Sequence, residues 1–151
     1  MKKSVKRSKK GFTLVELIVV LVILAVLAAM LVPALVGYVD KAKAEKEYQT
    51  AATVYGAAQA TITEMYGRDA ITTGSGTITQ TTKTGSGATE VKWGEQVLSL
   101  AGVDTNAVTA FSFTYGANTD YVIDGGTVTI SNHTYTLSID TTTGAPSWTA
   151  A

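Results

Sequence analysis

The sequence contains no cysteine, which excludes a disulfide staple, a thiolate metal site and covalent haem attachment. The folded part must be held by packing, by hydrogen bonds and by its neighbours. Histidine occurs once, as His133, in a stretch that reads as a hairpin turn, so it is taken as a surface turn residue and not a catalytic base. The acids Asp104, Asp120, Asp124 and Asp140 stand beside turn signals, where carboxylates commonly accept from nearby backbone amides. No EF-hand spacing joins them. No nucleophile and base are suggested by motif, so no catalytic residue and no enzyme activity are assigned.

Acidic residues are missing from the first eleven positions, where Lys2, Lys3, Lys6, Arg7, Lys9 and Lys10 are the charged side chains. The formal net charge of zero therefore hides an asymmetry. Beyond Gly11 six bases face twelve acids, about −6 before the termini are counted. A basic flank ahead of an apolar run keeps the N-terminus cytoplasmic and sends the rest outward. Nucleic-acid binding is the weaker reading of such a cluster.

Charge is also nearly absent from Phe12 to Val39, where Glu16 is the single ionisable side chain among acids and bases. The run from Leu17 to Val39 is long enough to span a bilayer, which takes about 20 apolar residues as a helix. It is too long for the apolar core of a secretory signal, roughly 7–15 residues, although Ala25 to Ala29 imitates a signal-peptidase site. A carboxylate in such a segment costs about 2.5–3.5 kcal/mol at the membrane centre and less near an interface. Glu16 thus invites a functional role, with an interfacial residue favoured by the helix dipole as the plainer alternative.

The stretch Lys9-Lys10-Gly11-Phe12-Thr13-Leu14-Val15-Glu16, followed by the long apolar helix, resembles the class III signal of type IV pilins and type II secretion pseudopilins. The resemblance covers about the first quarter of the chain. It implies cleavage between Gly11 and Phe12 by a prepilin peptidase, and methylation of the new amine of Phe12. It further implies that Glu16, fifth in the mature chain, is the assembly glutamate, pairing with the terminal ammonium of Phe12 on a preceding subunit. Pro33 falls where many pilins interrupt the helix, and the stretch Ala29 to Gly37 is expected to kink or melt. Many Gram-negative pilins carry a C-terminal disulfide loop, from which this cysteine-free chain departs. Major pseudopilins bind calcium, so that ion is kept as an alternative, with no cofactor assigned.

The chain reads as four regions: a basic leader, 1–11; a membrane-spanning and polymerising helix, 12–39; an amphipathic helix, 40–66; and a loop with a sheet, 67–151. The leader is expected to be disordered or bound at the membrane surface. Beyond Asp40, Tyr48, Ala51/Ala52, Tyr55, Ala58, Ile62 and Met65/Tyr66 recur at three- and four-residue spacing, an amphipathic pattern. Lys46, Thr50, Thr53, Ala57 and Glu64 are assigned to the opposite face. Lys41 with Glu45 and Lys43 with Glu47 are spaced for i,i+4 pairs. Gly67 is a stop signal, so the helix is expected to be about 55 residues, roughly 80 Å.

Thr72 to Thr89 is rich in Thr, Gly and Ser and reads as a long mobile surface loop. Trp93, Val97, Leu98 and Ala101 predict a short helix ended by Gly102. Phe111, Phe113 and Tyr115 alternate with small residues as a strand, and Tyr121-Val122-Ile123 makes a second. Turns at Asp124-Gly125-Gly126 and Asn132-His133 bracket Val128 and Ile130 and lead into Tyr135, Leu137 and Ile139. The C-terminal turn through Gly144 and Pro146 returns Trp148 to the sheet. The expected fold is α+β: a long N-terminal helix packed on an antiparallel meander of about four strands. Asn132-His133-Thr134 also matches the glycosylation sequon, a short and weak pattern.

The resemblance implies a precursor that sits as a single-pass cytoplasmic-membrane protein and then polymerises into an extracellular filament for adhesion, motility, DNA uptake or secretion. Its partners would be further copies of itself, the prepilin peptidase, the assembly platform, motor ATPases and minor pilins. A secretion or competence pseudopilin is the alternative within the superfamily. A membrane-anchored binding module that never polymerises is the alternative outside it.

Overall fold

The computed structural model describes residues 11–116 and 120–151. The expectation for the leader at positions 1–10 lies outside them. The chain divides into two compact units, the second beginning at Ala44. Helix α1, Leu14–Gly67, contributes to both.

In the first unit α1 is apolar on every side from Leu17 to Val39. Its large side chains from Leu14 to Val39 are all exposed. A helix hydrophobic all round belongs in a membrane or inside an assembly, and this one is long and apolar enough to cross a bilayer. Helical structure is continuous across residues 29–37, including Pro33. The expected melting there is absent. Proline removes one N–H and leaves the surrounding ladder to hold.

In the second unit α1 buries Ala51, Val54, Ala57, Ala58, Thr61, Ile62 and Met65. This corrects the expected face. Ala57, assigned to the solvent side, is buried, Val54 joins the core, and Ala52, Tyr48 and Tyr66 are exposed. With alanines all around this part of the helix, Val54, Ile62 and Met65 decide the buried stripe. Thr61 tolerates burial because its hydroxyl donates to the Ala57 carbonyl at 2.9 Å.

The sheet is a five-stranded antiparallel meander in the order β1-β2-β3-β4-β5. Its strands are β1, Gly76–Thr79; β2, Val108–Tyr115; β3, Ile123–Ile130; β4, His133–Ile139; and β5, Pro146–Ala150. Strand β1 lies inside the stretch expected to be a mobile loop. Ile78, the one large apolar residue there, is fully buried and pairs with Phe113. A bridge between Thr84 and Val91 and a 2.8 Å hydrogen bond from Trp93 Nε1 to Thr84 Oγ1 tie down the chain between β1 and the next helix. Helix α2, Trp93–Ala101, forms as expected, with Trp93, Val97 and Leu98 buried. Gly102, at φ 63°, ends it, and Val103 N donates to Leu98 O at 3.3 Å, closing the turn as a glycine C-cap does.

Two bulges set which side chains enter the core. Thr109 is the extra residue between Val108 and Ala110, so Val108 and Phe111 are both buried although three apart. Asp124 is the extra residue opposite Thr114 and Tyr115, which brings Ile123 inward together with Val128. Asp124-Gly125-Gly126 is therefore not a turn. It lies within β3, where Gly126 (φ 156°) faces Phe113, and a Cβ would stand 2.5 Å from both Phe113 Cδ1 and Ser112 O. The glycines mark a close approach.

The β3–β4 turn is made by Ser131 and Asn132, both at positive φ (49° and 76°), the signature of a two-residue type I′ hairpin. His133 begins β4 and pairs with Ile130, so it is a strand residue and not part of the turn. The last turn and β5 return Trp148 to the core, as expected. Its ring packs edge-on against Tyr55 and Phe113, with centroids 6.4 Å apart in each case.

Candidate functional site

Gly11, Phe12 and Thr13 precede the helix, and all three are exposed. The Gly11–Phe12 peptide bond therefore lies in accessible, non-helical chain, the form a peptidase takes into its cleft. Thr13 is the residue before the first helical position, and Glu16 stands in the first turn. The Thr13 amide and hydroxyl both donate to Glu16 Oε2 at 2.8 Å, and Glu16 N donates back to Thr13 Oγ1 at 3.3 Å. This is a reciprocal capping box. It satisfies two donors that would otherwise be orphaned at a helix start. The Thr-x-x-Glu spacing ahead of an apolar run was the sequence signal for it.

Gly11, Phe12 and Glu16 thus gather at one end of α1. Pro33 lies 17 residues beyond Glu16, about 25 Å along a helix, and is not part of that group.

In the second unit Glu47 Oε2 accepts from the Tyr135 hydroxyl at 2.8 Å and from His133 Nδ1 at 2.9 Å. His133, expected as a free turn residue, instead links β4 to α1. Burial, and then the hydrogen bond to Glu47, push the Tyr135 hydroxyl up to about 12. Lys41, Lys43 and Glu45, spaced for i,i+4 pairing but read as a solvated face, are all exposed. Long exposed side chains lose little by staying solvated.

Two of the four acids expected at turns, Asp104 and Asp140, behave as local acceptors. Asp104 Oδ1 accepts from Asn106 N at 2.8 Å, and Asp140 Oδ1 accepts from Thr142 N and Thr143 N, each at 2.8 Å. Those amides, Thr143 first, hold the Asp140 carboxyl below the usual carboxylate range. Among the described residues no three His, Asp or Glu side chains converge as a metal site would require.

Residues 6–32 match the family model described as the prokaryotic N-terminal methylation motif. That motif is the class III signal of type IV pilins and pseudopilins, and its span includes Gly11, Phe12 and Glu16. No curated protein and no solved structure matches the chain. The chain carries the N-terminal signal of a pilin-like precursor.

Proposed function

We propose that the chain is the precursor of a structural subunit of a type IV pilus, cut after Gly11, methylated on Phe12 and polymerised through residues 12–39 into a surface filament. The observation that carries this reading is the methylation motif over residues 6–32, set on an exposed Gly11–Phe12 bond just before a helix in which Glu16 is the one acidic or basic side chain as far as Val39.

The apolar helix holds the precursor in the cytoplasmic membrane, with the basic leader inside. Cleavage removes the leader's positive charge and creates an ammonium on Phe12, with Thr13, Leu14 and Val15 between it and the carboxylate of Glu16. When the helix leaves the lipid for a bundle of its own kind, both charges lose water. Pairing Glu16 with the Phe12 ammonium of the preceding subunit recovers much of that cost, whereas a lone buried charge would cost several kcal/mol. Register is set by this pairing. Pro33 leaves the helix one backbone hydrogen bond short, and that weakened turn is where it would extend during assembly. The peptidase, an assembly platform, motor ATPases and minor pilins complete the apparatus. The filament would serve adhesion, motility, DNA uptake or secretion.

The motif is shared with pseudopilins, and one experiment sorts the readings. The chain is expressed with its peptidase and assembly apparatus, and its N-terminus and mass are determined. Methyl-Phe12 at the terminus and long sheared fibres, lost in Glu16→Ala without loss of processing, support a pilus subunit. Processing with only short, cell-bound assemblies favours a pseudopilin. An uncut Met1 terminus rejects both.

A further inference from the structure

The second unit contains a cavity of about 240 Å³ between α1, the start of β3 and the turn after β4. Its walls are apolar, from Tyr55, Val122 and Ile139, while Asp124 and Asp140 bring carboxylates to it. The fold builds both acids into place. The β3 bulge falls on Asp124, and bulges re-aim side chains. Asp124 Oδ1 also accepts from the Thr114 hydroxyl at 2.9 Å. Asp140 is fixed by the amides of Thr142 and Thr143, which keep it ionised, and it forms no ion pair among the described residues.

An apolar slot with carboxylates suits one kind of occupant, an alkyl chain ending in a cation. A lysine fits: its stem covers apolar wall while its ammonium meets carboxylate and an aromatic face. The chain itself supplies candidates. Of the bases beyond Gly11, Arg68, Lys83 and Lys92 are paired with Glu64, Glu90 and Glu95. Lys41, Lys43 and Lys46 are exposed and form no ion pair among the described residues. Lys46 lies in the same unit as the cavity and nearest to it along α1.

We propose that this cavity receives Lys46 of a second copy of the chain as a subunit contact of the assembled filament, an inference that rests on the filament reading. Donor and receiver are different patches, so the contact is heterologous, the kind that propagates into an open helical array and does not close as a dimer. Lys46 precedes Tyr55 by nine residues, about 13 Å of helix rise. Copies with parallel α1 helices would be staggered axially by about that distance, less what the lysine side chain spans.

The absence of cysteine makes disulfide trapping clean, because every thiol is an introduced one. The full chain carrying both Lys46→Cys and Asp140→Cys is assembled with its peptidase and apparatus, and sheared filaments are oxidised. A ladder of covalent oligomers, absent from either single variant, is expected. Filaments without a ladder overturn the contact and leave the filament reading intact. No filaments from the unsubstituted chain overturn both. If the cysteine chain assembles too poorly to trap, a charge exchange decides. Lys46→Asp and Asp140→Lys are each expected to lose filaments and, combined in one chain, to regain them. Failure of the combination to restore filaments overturns the contact.

Discussion

Gln59 on α1 donates from Nε2 to the carbonyl of Tyr121 at 2.9 Å, while its Oε1 accepts from the amide of Ile123 at 2.8 Å. One side chain thus pins the entry to β3 at two backbone groups. The first of them belongs to Tyr121, held at φ 61°, a left-handed conformation that costs a non-glycine residue about 1 kcal/mol or more. Its amide is held too, donating to Gly74 O at 2.8 Å, and its ring lies 4.4 Å from that of Tyr66.

Gln59→Ala is expected to cost about 2 kcal/mol, because two part-buried backbone groups lose their partners. Gln59→Glu keeps an acceptor for Ile123 but turns a carboxylate oxygen toward the Tyr121 carbonyl, two acceptors in repulsion, so it too is destabilising. Urea unfolding of the full chain in detergent, followed by circular dichroism, measures both. Equal stability of all three chains would show that water replaces the clamp without cost.

Gly126→Ala places a methyl against the Ser112 carbonyl, which is backbone and cannot swing aside, as well as against the Phe113 ring. Overpacking of this kind costs about 1–3 kcal/mol. A lower melting temperature is expected, together with weakened near-ultraviolet signal from the aromatic cluster. A mutation to alanine at Gly125, whose added Cβ meets nothing closer than 3.6 Å, should be milder.

Trp93 is almost fully buried and ties α2 to Thr84 through its indole N–H. Trp93→Ala is expected to cost about 3–5 kcal/mol. It also releases the segment that holds Lys83, so trypsin should cut there early in limited proteolysis. Early cleavage at Lys83 in the unsubstituted chain would return that stretch to the mobile loop expected from its composition, and unchanged resistance in the variant would show that the Trp93 bond is not what holds it.

Tyr135, whose folded-state value of about 12 stands above the ordinary 10, contributes to the pH dependence of stability at its alkaline end. A raised value means that the unfolded chain gives up its proton first. The contribution is complete below pH 10 and is lost as pH rises through about 12. Stability should therefore decline across that window, and Tyr135→Phe should remove that part of the decline. The check is denaturant unfolding of both chains from pH 8 to 12.

Much of the molecule was legible in the chain. The apolar run, the Gly11–Phe12 junction and Glu16 were readable as one unit, because membrane length and charge placement are properties of contiguous residues. The alternation of Phe111, Phe113 and Tyr115 located β2 by its period alone, and Gly102 located the end of α2. Other readings failed where two structures share one local signal. Asp124-Gly125-Gly126 has turn composition, yet its glycines serve a bulge and a close approach to Phe113. The alanines around α1 gave no preference for a face until Val54, Ile62 and Met65 met the sheet.

The sequence by itself determined what depends on neighbours along the chain: the extent of α1, the polar or apolar character of each stretch, and the alternation that marks β2. Only the tertiary structure decided what depends on residues far apart. Ile78 makes its Thr-rich segment a strand because Phe113 offers a partner. Glu47 takes Tyr135 and His133 across separations of 88 and 86 residues. The cavity that holds Asp124 and Asp140 exists because a bulge and a turn bring the start of β3, the end of β4 and Tyr55 together. Such contacts are chosen by the packing of the whole sheet on one helix face, and no local period encodes them.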